Sequence, residues 1–297
     1  MDTPHVLDAP GVRAPDGSPA PGRSPGWRAL ALACHPGPVV AVTALTTALC
    51  AGAGLGAARS LPVCAAVLTG QLSVGWCNDA FDARRDAAAR RAGKPAADGT
   101  VGVRRVWAAA AVALAVCVPL SLAAGLAAGS VHLTGVAAAW LYNLRLKATV
   151  LSWLPYAVGF GSLPAFVALS LPGHPRPAWW AVAAGALLGV AAHLADTLPD
   201  IADDLAAGVR GLPHRLGVHG TRLLLPVPLV AATALLLTGP RGARYGVWEA
   251  IVLGLVVVVG LAGTLLRRCG RKAALAGAVV VAAVDLALLL ARGITIA

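Results

Sequence analysis

Two short stretches of this chain concentrate its acidic chemistry. Asp79, Asp82, Asp86, Asp196, Asp200, Asp203 and Asp204 are seven of only 13 acidic residues, and they fall in "NDAFDARRD" at 78–86 and "DTLPDIADD" at 196–204. Asn78, Asp82 and Asp86 are spaced i, i+4, i+8, and Asp196, Asp200 and Asp204 repeat that spacing. On an α-helix each step of four drifts by about 40°, so each trio is expected to line one face over roughly 12 Å. Carboxylates gathered in this way repel one another unless cations sit between them. Carboxylate and amide oxygens are hard ligands that suit Mg²⁺, which takes one or two protein carboxylates and completes its shell with water and phosphate oxygens. The pattern therefore points to a diphosphate held through bridging Mg²⁺ ions.

A diphosphate also needs donors, and basic residues follow each motif. Arg84, Arg85, Arg90, Arg91 and Lys94 come after the first, Arg210 and Arg215 after the second, and "YNLRLK" supplies Tyr142, Arg145 and Lys147 between them. Lysine meets phosphate as a point charge and arginine as a planar fork. The competing reading of each basic residue is topogenic, since cytoplasmic loops of membrane proteins collect Lys and Arg. Trp76, Phe81, Trp153, Tyr156 and Phe160 are candidates for shielding a carbocation with their ring faces. Aromatic residues near span ends also form interfacial belts. Phe160, flanked by Gly159 and Gly161, is the most suggestive of the five.

The elements that must position these residues are membrane helices. Of 297 residues 58% are hydrophobic and 12% charged, with a mean hydropathy of +0.75. Soluble domains carry about 25% charged residues, so the chain reads as an integral membrane protein forming one helical bundle. Nine apolar segments, each near the ~20 residues that cross a bilayer, are expected at about 37–57, 61–80, 106–128, 131–147, 149–171, 177–198, 221–239, 247–266 and 273–291. Residues 1–30, rich in Pro, Gly and Ser and lacking a signal-peptide core, read as a disordered cytoplasmic tail ahead of a membrane domain at 31–297. With the N-terminus inside, nineteen Lys and Arg lie on the cytoplasmic side against five outside. That bias gives the net charge of +11 a topological meaning rather than a nucleic-acid partner. Both acidic motifs then emerge at the cytoplasmic mouth, after the second and sixth spans, each followed by a basic, glycine-containing loop. Cys34, Cys50, Cys64, Cys77, Cys117 and Cys269 show no paired spacing and read as buried, inert thiols.

The paired motifs, "YNLRLK" and nine expected spans resemble the UbiA superfamily of intramembrane aromatic prenyltransferases over residues of about 30–292. The resemblance implies a bundle whose central cavity opens laterally to lipid under a cytoplasmic cap formed by the loops after helices 2 and 6. It implies that Asn78, Asp82, Asp86, Asp196, Asp200 and Asp204 bind Mg²⁺ and an isoprenyl diphosphate. Lys147 and Tyr142 match residues that contact the diphosphate, and Lys94 occupies a loop position where relatives carry a basic residue. The implied reaction is Mg²⁺-dependent transfer of the isoprenyl group to a lipophilic acceptor, aromatic or a quinone precursor. Asp82, Asp200, Lys147 and Tyr142 would be catalytic, with Asn78, Lys94, Arg84, Arg145, Arg210 and Phe160 binding substrate.

A terpene cyclase on the same scaffold is the enzymatic alternative, because it needs the same diphosphate chemistry. A cation transporter would place its acids near the bilayer midplane on broken helices, whereas these clusters end in basic loops. Asp285, inside the last span, reads as a structural hydrogen bond or ion pair although intramembrane acids are often functional. His193, one turn before Asp196, reads as a packing histidine, and His35 as part of the entry turn to the first span.

Overall fold

The computed structural model describes residues 26–89, 93–239, 246–265, 273–291 and 296–297. Arg90, Arg91, Arg241, Arg244, Arg292, Cys269 and residues 1–25 lie outside the described residues. Within them every regular element is helical. The chain begins with α1 (Gly26–Ala33), α2 (Pro36–Gly52), α3 (Ala57–Ala88) and α4 (Val103–Ala123). It continues through α5 (Leu126–Leu144), a 3₁₀ turn at Leu146–Ala148, α6 (Leu154–Ser170) and α7 (Trp179–Thr197). A second 3₁₀ turn at Leu198–Asp200 leads to α8 (Ile201–Ala206), α9 (Leu212–Leu224), α10 (Pro226–Thr238), α11 (Val247–Leu265) and α12 (Ala273–Ala291).

Each of the nine expected apolar segments overlaps one of these helices, although α3, α4 and α5 begin several residues earlier than expected and α3 runs eight residues further. Among the described residues three helical stretches, Ala57–Ala88, Val103–Ala123 and Trp179–Ala206, are long and apolar enough to cross a membrane singly, and the total is up to five if each of two bent pairs is one span. One bent pair is α1 with α2, which meet at 61°. Its cause is local: His35 adopts a left-handed φ of 58° and Pro36 starts the next helix, where a missing N–H costs nothing. Helix thus begins at Gly26, inside the stretch expected as tail. The other pair, α9 with α10, bends by 47° at Pro226, and Gly217 kinks α9 with a φ of 69° that L side chains avoid.

Neighbouring helices pack in chain order, α2 on α3, α3 on α4, and on through α7, α10, α11 and α12. α12 returns to α2 and closes the ring. Small residues let helices come close, most visibly between α6 and α7. A Cβ on Gly189 would collide with the Tyr156 carbonyl, and one on Gly185 would lie 2.9 Å from the Phe160 carbonyl. The main apolar cluster runs between α2, α3, α6 and α7, around Val63, Val67, Phe166 and Val167. A separate cluster of Ala29, Ala33, Ala80, Ala83, Ala96, Val101 and Val106 joins α1, the end of α3 and the segment that follows it.

α3 is the longest element. Its 32 residues extend about 48 Å, well beyond the ~30 Å hydrocarbon core of a bilayer. Its last turns carry the first acidic motif.

Candidate active site

The first motif behaves as its spacing predicts. Asn78, Asp82 and Asp86 share one face of the unbroken α3, and both carboxylates are buried. Asp82 Oδ2 accepts from Lys147 Nζ at 2.6 Å and is ion-paired with Arg85 Nη2 at 2.6 Å. Asn78 Nδ2 donates to Asn143 Oδ1 (3.1 Å), and Asn143 Nδ2 donates to the Val74 carbonyl (3.1 Å). This amide bridge fastens the end of α5 to α3 and so delivers Lys147, in the following 3₁₀ turn, to Asp82.

Asp79 has a different task. It is 1% exposed, its Oδ2 accepts from Ala96 N at 3.2 Å, and Lys94 Nζ lies 3.5 Å from its Oδ1 and 3.8 Å from Asp86 Oδ2. Lys94 Nζ also donates to His35 Nε2 at 3.2 Å, because a lysine ammonium has no acceptor. Asp79, Lys94 and His35 thus pin the segment after α3 to the α1–α2 turn.

The second motif departs from its expected geometry. The chain does not continue as one straight helix through Asp196, Asp200 and Asp204: α7 ends at Thr197, the backbone tightens into 3₁₀ geometry at Leu198–Asp200, and α8 starts afresh. Pro199 cannot donate into a continuing α-helical ladder. The three carboxylates consequently face different surroundings. Asp196 is exposed, Asp200 half-buried and Asp204 buried. Asp204 Oδ2 accepts from His214 Nε2 at 3.1 Å, and Gly211 N donates to His214 Nδ1 at 3.1 Å. With Nδ1 accepting, the ring proton sits on Nε2. His214 carries no motif signal in the sequence beyond following Asp204 by ten residues.

Tyr142, Tyr156 and Lys147 lie between the motifs. Tyr156 OH donates to Asp196 Oδ2 at 3.2 Å, and its ring meets Tyr142 edge-on at 5.2 Å and stacks on Phe160 at 6.5 Å. Tyr142 lies within electrostatic reach of Asp82, Asp196 and Asp204 together, and Asp196 within reach of Lys147 and Lys94. Asp196 is exposed, and the two tyrosines are half-buried. His193 backs this wall: its Nε2 pairs with Ser152 Oγ (3.0 Å), which accepts from Leu212 N (2.9 Å).

Other expected residues lie elsewhere. Arg84 is exposed, two residues from Asp82 and so on another side of α3, while Arg85 takes the position beside Asp82. Arg145, at the end of α5, and Arg210, whose carbonyl accepts from Arg215 Nε, are exposed. Trp76 donates to the Leu30 carbonyl at 2.8 Å and packs in the cluster beneath α1, and Phe81 is 47% exposed. Of the proposed cation shields, Tyr156 and Phe160 adjoin the acidic site. Cys34, Cys50, Cys77 and Cys117 are buried and free, and Cys64 is free and half-buried.

Among the described residues no three Asp, Glu, His or Cys side chains converge closely enough to enclose a metal ion. The site still fits a hard divalent cation. Its donors are oxygens presented from two motifs, and such a cation needs only one or two carboxylates when phosphate oxygens and water complete its shell.

The family model of the UbiA prenyltransferase family matches residues 36–276. The chain belongs to this family. Solved structures agree at the level of fold. A UbiA homolog from Aeropyrum pernix K1 in its apo form is 20% identical, with a TM-score of 0.67 over 84% of this chain and 97% of that one. A UbiA homolog from Archaeoglobus fulgidus bound to GPP and Mg²⁺ is 15% identical, with a TM-score of 0.66 over 87% and 97%. A structure described as a digeranylgeranylglyceryl phosphate synthase in membranes is 16% identical, with a TM-score of 0.65 over 90% and 98%. No curated protein matches the chain in sequence. Membership and the run of apolar helices make this UbiA-family chain a multi-pass membrane protein.

Proposed function

We propose that this UbiA-family protein transfers an isoprenyl group from its diphosphate to a lipophilic, aromatic or quinone-precursor acceptor, in a Mg²⁺-dependent reaction inside the membrane. The observation that carries the reading is that Lys147 reaches Asp82 of one motif while Tyr156, packed edge-on against Tyr142, reaches Asp196 of the other. Similarity in fold to a relative bound to GPP and Mg²⁺ supports it.

Asp82, Asp86, Asp196 and Asp200, with Asn78, would hold Mg²⁺, and Asp204 acts with His214 to brace the second motif. Mg²⁺ neutralises charge that grows on the departing diphosphate. Lys147 and Arg85 donate to the same phosphate oxygens, in a pocket where such contacts are worth far more than in water. Lys94 holds the covering segment in place, and Arg145 and Arg210 at the rim attract the incoming anion. The faces of Tyr142, Tyr156 and Phe160 border the allylic cation, and the apolar walls keep water from it.

All nine apolar helices span the bilayer in this reading, with the N-terminus and the acidic mouth on the cytoplasmic side. The bias of nineteen basic residues against five supports that orientation. The deciding assay uses purified protein in lipid with Mg²⁺ and a series of isoprenyl diphosphates, with and without aromatic acceptors, and follows diphosphate release and products by mass spectrometry. A prenylated acceptor is expected. A cyclic terpene formed without acceptor identifies a cyclase instead, and absence of Mg²⁺-dependent diphosphate release overturns both.

A further inference from the structure

Two helices are each bent off the start of an apolar helix: α1 meets α2 at 61°, and α9 meets α10 at 47°. The 17 residues of α2 and 13 of α10 extend about 26 and 20 Å, short of the ~30 Å hydrocarbon core of a bilayer. The bilayer boundary therefore falls along α1 and α9. Both lie on the side of the acidic motifs, since the α1–α2 turn reaches Lys94 and Asp79 and α9 carries His214 to Asp204.

The two helices present the same pattern outward. In α1, Trp27, Arg28, Ala31 and Leu32 are exposed while Ala29 and Ala33 are buried. In the part of α9 after the Gly217 kink, Val218, His219 and Leu223 are exposed and Arg222 is half-buried, while Thr221 and the following Leu225 are buried. Positions i, i+1, i+4 and i+5 share one side of a helix, so each face sets large apolar side chains beside one arginine. Trp27 is 67% exposed with the Arg28 guanidinium 5.2 Å from its ring centre, and Leu223 is 60% exposed. No acidic residue occurs between Asp16 and Asp79 or between Asp204 and Glu249. Such a face suits the boundary itself, with apolar side chains in the acyl region and arginines at the lipid phosphates, a depth that tryptophan also favours.

Each helix is also bonded to one acidic motif. Trp76, two residues before Asn78, donates to the Leu30 carbonyl of α1 at 2.8 Å, and a Cβ on Gly75 would collide with the Cys34 carbonyl. In α9, Thr221 Oγ1 donates across the kink to the carbonyl of Pro213 at 3.0 Å, next to His214, which holds Asp204. We propose that the outward faces of α1 and α9 bind the headgroups of anionic lipid, and that this contact steadies both acidic motifs. Only its effect on turnover rests on the proposed transfer reaction. An anionic surface favours the docked position of each arginine by roughly fivefold, whereas a zwitterionic surface has no net potential with which to do so.

The test places purified protein in lipid discs of phosphatidylcholine alone or with about one-third phosphatidylglycerol. Wild type is compared with the double variant Arg28→Gln, Arg222→Gln by hydrogen exchange of residues 26–33 and 212–224 and by diphosphate release from a series of isoprenyl diphosphates. Phosphatidylglycerol is expected to slow exchange of both segments at least about threefold in wild type but not in the variant, and kcat/KM there to be at least about fivefold higher in wild type. High salt is expected to remove both differences, and in phosphatidylcholine alone the two proteins are expected to match. An anionic surface also repels the diphosphate, but equally for both proteins, so their ratio isolates the docking. Arg28→Lys with Arg222→Lys keeps the charge and is expected to keep the protection. Exchange that ignores the lipid, or turnover that ignores the arginines, overturns the inference. Protection that follows the number of protein copies per disc instead of phosphatidylglycerol assigns these faces to a second copy of this chain and overturns it as well. Absence of diphosphate release in every disc overturns the transfer reading, and exchange alone then decides the docking.

Discussion

Lys147 and Asp82, 65 residues apart, meet at 2.6 Å and join the end of α5 to the acidic face of α3. The lysine has this carboxylate in common with Arg85, so the first motif carries its own positive partners before any substrate arrives. In the proposed reaction, a diphosphate would compete with Asp82 for Lys147.

Lys147→Met is expected to lower kcat/KM for the isoprenyl diphosphate by about 10²- to 10³-fold, the usual cost of losing one donor to developing charge. Steady-state diphosphate release in lipid checks this. A change below about threefold would remove Lys147 from the reaction.

Asp82→Ala and, separately, Asp200→Ala are expected to abolish Mg²⁺-dependent turnover while the protein still extracts and elutes as a folded species. The pair tests whether both motifs serve one site. Full activity in either variant would count against the two-motif arrangement.

His214→Ala is expected to act mainly on stability. His214 and Asp204 are both buried and hydrogen-bonded to each other, and leaving a buried polar group without its partner costs about 1–3 kcal/mol. Thermal unfolding in detergent should show a clear fall in midpoint. Loss of activity with an unchanged midpoint would assign the histidine to the chemistry instead.

Gly189→Ala tests the contact that sets Tyr156. A Cβ at position 189 collides with the Tyr156 carbonyl, so α6 and α7 must separate, at a cost of about 1–3 kcal/mol for overpacking. The same movement draws the Tyr156 hydroxyl away from Asp196. Turnover should fall further than in Gly37→Ala, a position with open space around it.

Much of this protein is legible in its sequence because membrane burial imposes a strong and local rule. A helix that crosses lipid satisfies its own backbone and shows as an apolar run, so the helical class and the approximate bounds of the apolar helices followed from hydropathy. The first motif was legible for a similar reason: Asn78, Asp82 and Asp86 lie on one unbroken helix, where spacing alone decides which side chains share a face. The second motif broke that rule at Pro199, and the spacing of Asp196, Asp200 and Asp204 misled once the backbone tightened into a 3₁₀ turn. Tertiary structure alone decided that Arg85 rather than Arg84 stands by Asp82, that His214 braces Asp204, that Asp79 and Lys94 tie down the segment after α3, and that Tyr156 reaches Asp196. Each of these is a contact between helices, set by small residues such as Gly189 and by bends such as His35–Pro36, and no single stretch of sequence records which neighbour a helix will meet.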